Sequence, residues 1–213
     1  MRRVRNIRAG AGFTLLELTL SVALLALVAT KVHGALHTAQ KSYDENARRT
    51  ELEGQARQVM RQIAFAILGA NRETLIPDAS QPLSSSDMRF QIHLGIQDGA
   101  VVWSDPEQIA MNHDSQALFW SKNPGTMDEQ RVIWSTLVTP FLEGELPNGI
   151  DDNGNGLIDE RGLSFVVDRN AVTIRLTLER SGEGDDIIAE TVETTVTCRN
   201  LERKLERNPE GNP

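Results

Sequence analysis

Residues 13–30, FTLLELTLSVALLALVAT, are an apolar run of 18 residues with one charge, Glu17. At a helical rise of 1.5 Å per residue the run is roughly 27 Å long, close to a bilayer core of about 30 Å. A helix that is apolar on every side must meet lipid, the inside of a large core or an apolar partner. Residues 1–12 carry Arg2, Arg3, Arg5 and Arg8 and no acid, and Lys31 ends the run. Four arginines on the short N-terminal side predict that this side stays cytoplasmic and that the rest of the chain lies across the membrane. A secretory signal has its small residues after the apolar run. Here Gly10-Ala11-Gly12 stand before it, so the grammar of signal cleavage does not fit.

The charge balance narrows the function classes. The chain has 213 residues, with 22 Lys plus Arg and 30 Asp plus Glu, a net of −8. Beyond residue 12 there are 18 basic and 30 acidic residues, a net of −12. An acidic chain is a poor tracker of phosphate backbones, so no nucleic-acid partner is expected. Cys198 is the one cysteine, which excludes an internal disulfide and a cysteine-built zinc site. No nucleophile elbow, phosphate loop or dinucleotide fingerprint occurs. Gly10-Ala11-Gly12 lacks both a preceding strand and a third glycine. The acids of residues 179–193 read as a solvated face. The chain is therefore read as a non-enzyme.

Glu17 is the informative residue of the run. A carboxylate inside an apolar span costs about 2.5–3.5 kcal/mol on insertion scales. One reading is a snorkelling or protonated side chain. The other is a carboxylate that waits for a cation in an assembly. A cut between Gly12 and Phe13 would create that cation, an α-amine on Phe13, and another copy's Glu17 could neutralise it.

Gly12-Phe13-Thr14-Leu15-Leu16-Glu17, with basic residues before and an aliphatic helix after, resembles the N-terminal motif of type IV pilins and type II secretion pseudopilins. The likeness covers about the first 30 residues. It implies a substrate of the prepilin peptidase, cut after Gly12 and N-methylated on Phe13. It also implies that Glu17 pairs with a neighbouring subunit's N-terminus during assembly. The implied setting is the bacterial inner membrane, crossed once, with a periplasmic C-terminal domain later carried into a periplasmic or surface filament. Pilins often carry a kinking proline in this span; no proline occurs from residue 13 to 76 here.

Residues 31–76 read as an amphipathic helix and linker. Leu52, Ala56, Val59, Met60, Ile63 and Ile67 recur at three- and four-residue spacing as one apolar stripe. Arg48, Arg49, Glu51, Glu53, Arg57 and Arg61 lie opposite. The heptad is not sustained, which disfavours a free coiled coil. Gly69-Ala70-Asn71 and then Pro77 predict the end of the helix. His33 and His37 have the i, i+4 spacing of a helical metal pair, but no third ligand is visible, so they are read as interfacial.

Residues 77–201 read as a β-rich domain. Residues 77–87 (PDASQPLSSSD) predict a loop. Alternation at Phe90, Ile92, Leu94 and Ile96 predicts a strand, as does a brief one at Val132 and Trp134. Leu163, Phe165 and Val167 alternate, then Val172, Ile174, Leu176 and Leu178, with Asp168-Arg169-Asn170 as a hairpin turn between them. A last run takes Val192, Thr194, Val196 and Cys198, after a loop at 182–186. Short turns between period-2 runs predict an antiparallel sheet with one covered face, the helical stripe being its cover. The expected class is α+β: a long N-terminal helix packed on an antiparallel sheet, pilin-like. Residues 202–213 are read as a polar tail.

Residues 148–162 are the densest polar cluster. A hard cation takes six to eight oxygens at about 2.3–2.6 Å. Asp151, Asn153 and Asn155 place short oxygen-bearing side chains at alternate positions. Gly156 permits the turn, Leu157 can offer its carbonyl, and Ile158 can anchor the loop to the core. The segment is similar to an EF-hand-like calcium loop as far as D-x-N-x-N-G-x-I. The usual bidentate glutamate would fall at Gly162, so Asp159 or Glu160 must substitute. Structural calcium is the expected cofactor, and a solvated Asn-Gly turn is the alternative.

The resemblance, a mature length of 201 residues after cleavage, and the LTLE strand at residues 176–179 point to a J-type minor pseudopilin of type II secretion. The expected partners are the peptidase, sibling subunits and the membrane. Two rivals share the sequence features: a minor type IV pilin for adhesion, motility or DNA uptake, and a single-span ligand-binding protein that never polymerises.

Overall fold

The computed structural model describes residues 14–78, 84–181 and 186–198. The 1–12 leader, Phe13, the 202–213 tail and most of the 182–186 loop lie outside the described residues. The chain divides into two compact units, Met1–Ala47 and Arg48–Pro213. Helix α1 runs over Leu15–Leu68 as 54 uninterrupted residues. With no proline inside it, nothing removes an amide from the ladder. It stops one residue before Gly69, where the sequence places its end.

In the first unit every described residue from 14 to 47 is exposed. The window here has a mean hydropathy of 1.9, and the helix is long and apolar enough to cross a membrane. His33 and His37 lie on this exposed stretch.

In the second unit the buried residues of α1 are Leu52, Ala56, Val59, Met60, Ile63 and Ile67, the six of the predicted stripe. Each fully buried Leu or Ile contributes about 1.5–3 kcal/mol relative to exposure. The charged side is partly paired: Glu53 holds Arg57 at 2.7 Å, and Glu51 holds Arg180 at 2.9 Å. A 3₁₀ turn at Arg72–Thr74 follows, capped by the Asn71 side chain, which accepts from the Glu73 amide.

Ten strands follow: β1 Ser84–Ser85, β2 Asp87–Phe90, β3 His93–Gln97, β4 Ala100–Trp103, β5 Glu107–Met111, β6 Leu118–Lys122, β7 Gln130–Ser135, β8 Leu163–Asp168, β9 Ala171–Ser181 and β10 Ile187–Thr197. They form three antiparallel sheets rather than one. Their orders are β1-β8-β9-β10, β2-β5-β6-β7 and β3-β4. The β8–β9 hairpin turns at Arg169-Asn170, within the expected turn. It pairs Leu163 with Leu176, Phe165 with Ile174 and Val167 with Val172, all buried. These residues join the α1 stripe and Met88, Phe90, Ile109 and Leu118 in one core cluster.

Several expectations fail. The run Phe90-Ile92-Leu94-Ile96 is not one strand. Phe90 ends β2 in the core, while Leu94 and Ile96 sit in the β3–β4 ribbon at 62% and 72% exposure. The change of sheet follows Ile92, whose amide donates to the Ser104 hydroxyl at 3.0 Å. The loop read over residues 77–87 contains β1 and the start of β2. Strand β5 was invisible to alternation because all five of its residues are buried. Its polar members are satisfied by neighbours: Trp120 Nε1 donates to Glu107 at 2.8 Å, and Gln108 donates to Asp87 at 2.6 Å.

Candidate functional site

Two places carry the residues singled out in the sequence, one in each unit. The first is the opening turn of α1. The Thr14 amide donates to Glu17 Oε2 at 2.9 Å, and the Thr14 hydroxyl donates to the same oxygen at 3.0 Å. The Glu17 amide donates to Thr14 Oγ1 at 3.3 Å. This reciprocal arrangement is a capping box, T-x-x-E at a helix start. A carboxylate at this end also meets the positive pole of the helix dipole. The signal stood in the sequence as Thr14 and Glu17 three apart, and a reading fixed on apolar burial passed over it. Gly12 and Phe13, the predicted cleavage pair, lie outside the described residues.

The second place is the loop around residues 145–162, laid on the polar face of β9. Glu160 is fully buried; Arg175 donates to its Oε1 at 2.9 Å, and Ser164 donates to the same oxygen at 3.0 Å. Arg175 also pairs with Glu193 at 2.6 Å. The Thr139 amide donates to the Thr177 carbonyl at 3.1 Å, and the Glu143 amide to the Thr177 hydroxyl at 3.2 Å. The second face of this sheet is thus covered in part, around Arg175 and Thr177, where the sequence predicted one covered face; Thr195 and Glu193 on β10 stay exposed.

The loop is folded around its own acids. Asp151 accepts the amides of Gly154 at 2.7 Å, Asn155 at 3.1 Å and Gly156 at 2.8 Å. Gly154 and Gly156 hold φ at +75° and +88°, values that a side chain disfavours. Asn153 Oδ1 accepts the Asn155 amide at 3.0 Å, and Asn155 Oδ1 accepts the Leu157 amide at 2.9 Å. The two substitutes for the missing glutamate separate. Asp159 turns to the loop entrance and accepts the Asn148 and Gly149 amides, each at 3.1 Å. Glu160 turns inward and meets the side-chain amides of Asn153, at 3.5 Å, and Asn155. Ile158 does not anchor the loop; it is 57% exposed, and half-buried Leu157 is the inward residue.

Gly162 explains why the EF-hand pattern breaks. A Cβ there would lie 2.1 Å from the Thr139 carbonyl oxygen. Its own carbonyl accepts the Thr177 amide at 2.8 Å. The backbone at this position is pressed onto the backbone of Thr139, and no side chain fits. Among the described residues, no group of three His, Cys, Asp or Glu gathers as a metal-binding set.

Glu145 was missed by the sequence reading. It is 5% exposed, and its Oε1 accepts the Asn153 amide at 3.2 Å. Its Oε2 is buried and has no hydrogen-bond partner among the described residues. Outside the repeat of oxygens at alternate positions, nothing in the sequence marked it.

The architecture places the chain in the α+β class, with one N-terminal helix able to cross a membrane and a β-rich unit built on the helix's second half. Compared with protein-family models, curated proteins and solved structures, the chain matches none.

Proposed function

We propose that the chain is a membrane-inserted filament subunit, a minor pseudopilin of type II secretion of the J type. The prepilin peptidase cuts it after Gly12, and Phe13 is N-methylated. The reading rests on one observation: Glu17 sits in the first turn of α1, whose apolar opening stretch is exposed, shortly after Gly12-Phe13 and an arginine-rich leader. The exposed leucines and valines of residues 15–36 need a cover, and lipid before assembly and sibling helices after it both supply one. Glu17 then exchanges its contact with the Thr14 amide for the charged N-terminus of a neighbour. A heterologous contact of this kind does not close on itself and so builds a filament. Arg2, Arg3, Arg5 and Arg8 keep the leader cytoplasmic, and the acidic unit lies in the periplasm.

Mass spectrometry of the native N-terminus tests the reading. The expected species begins at methylated Phe13; a functional chain that retains Met1 or is cut elsewhere overturns it. Glu17→Ala should be processed like the native chain yet enter filaments poorly, measured by shearing and quantifying assembled subunits. Normal incorporation would remove the pairing role. Gene neighbours for a secretin and sibling pseudopilins separate secretion from a retractile pilus.

A further inference from the structure

The outer strands of the two four-stranded sheets are guarded differently. β1 is two residues long, β2 is bridged on its free side by Ile76, and β10 carries Glu190 and Glu193. β7 has no such guard. It pairs with β6 alone, and among the described residues no backbone group of β7 bonds on the side away from β6. Its one charge, Arg131, is held by Glu129 at 2.7 Å and lies over the Phe119 ring. Val132 and Ile133 are 49% and 61% exposed. An extended apolar edge left open in this way is a template for another strand. Beside it, between β7 and α1, runs a groove of about 540 Å³, within the range of clefts that hold ligands. Gln55, Gln58 and Gln62 line its helical side, Val59 and Trp134 add apolar surface, and no lining residue is ionisable. Gln55 Nε2 donates to Glu51 at 3.3 Å, while the side chains of Gln58 and Gln62 have no hydrogen-bond partner among the described residues. Each of these amides offers two N–H donors and one acceptor oxygen, the same groups that a polypeptide backbone presents.

We propose that this groove binds an extended polypeptide segment of a partner protein, uncharged where it lies between β7 and the glutamines. The segment joins the β2-β5-β6-β7 sheet as a further strand beside β7. Alternate residues of β7 turn their N–H and C=O groups away from β6, and one edge of the incoming backbone takes them. Its other edge meets the amides of Gln58 and Gln62. Six residues of β7 at about 3.3 Å each give roughly 20 Å of edge, room for a segment of about six residues. Main-chain pairing supplies the affinity, and the neutral lining supplies the selection. A charged side chain entering the groove would lose water and find no opposite charge there, which is costly. The inference stands on the second unit alone and does not depend on the N-terminal reading.

The test uses the full chain in detergent and a capped, fluorescein-labelled peptide, SVTVTVS. Saturable binding is expected by fluorescence polarisation, with slowed hydrogen exchange at the β7 amides in the complex. The same peptide N-methylated at its valines keeps its side chains and loses the donors of one backbone edge. It should bind about tenfold more weakly or worse, the effect of losing two or more hydrogen bonds. Gln58→Glu combined with Gln62→Glu removes the amide donors and places two charges in the groove. Both positions are exposed, so the melting temperature should hold while affinity falls about tenfold or more. The methylated peptide is read on the native chain, so the test stands even if the double variant does not fold. No binding at about 10⁻³ M peptide overturns the proposal. So does unaltered affinity of the methylated peptide or of the double variant, or slowed exchange that spares β7. A dimer in analytical ultracentrifugation whose formation, rather than the peptide, protects β7 overturns it as well.

Discussion

Residues 15–47 and residues 48–68 of α1 share one backbone conformation and differ in what their apolar side chains meet. The first stretch exposes Leu15, Leu16, Leu18, Leu20, Leu24 and Leu25, among others. The second buries six residues along one stripe and exposes the charged side. The comparison separates two uses of apolar surface. The all-round apolarity of residues 15–30, with Glu17 as the single acid, leaves leucines and valines that no other part of the described chain covers. A stripe at helical period marks a segment whose cover is built from the chain's own strands. The same helix thus presents two kinds of surface, and the switch between them lies in the pattern of its apolar residues.

Truncating one residue on each side is the strongest way to break this comparison. Ile63→Ala removes a fully buried side chain from the core and should cost about 2–5 kcal/mol. Leu24→Ala removes an exposed one and should stay within about 0.5 kcal/mol. Denaturant unfolding of the full chain in detergent, followed by tryptophan emission, measures both. Equal losses would show that residues 15–47 pack on the chain after all.

Gly162→Ala sharpens the account of the second unit. The added Cβ would strike the Thr139 carbonyl, and overpacking of this kind costs about 1–3 kcal/mol. The same unfolding experiment reads it. A neutral result would mean that the strand and loop backbones move apart freely, and the reason given for the broken EF-hand pattern would fail.

The smallest effect concerns Cys198. It is buried, and burial pushes its thiol up from the ordinary range. At neutral pH the native chain should resist maleimide, and the thiol should label only on unfolding. Rapid labelling of the folded chain would place Cys198 outside the core that the helical stripe and sheets enclose.

How much was legible depends on how each signal is encoded. The stripe from Leu52 to Ile67 and the strands holding Leu163 to Leu178 were readable because one face is buried and one is not, so burial is written as a period. Strand β5 was not readable, because Glu107 and Gln108 are buried beside Ile109 and are satisfied by residues distant in sequence. The run through Leu94 and Ile96 misled because alternation records a strand and says nothing of which sheet it joins. The oxygen-rich loop was legible as far as its local repeat. Glu145 was not, since its burial against the Asn153 amide arises only after folding.

The sequence by itself determined what depends on neighbours along the chain: the helix and its end, the membrane-length run, the β8–β9 hairpin and the local turns of residues 151–157. Periodicity, rise per residue and short-range hydrogen bonding set all of these. Tertiary structure decided the division of strands among three sheets, the cover over the polar face of β9, the crowding at Gly162 and the burial of Glu145. Each of those follows from contacts between residues far apart in sequence, and the free energy of such a contact is defined only once both partners have been brought to the same place.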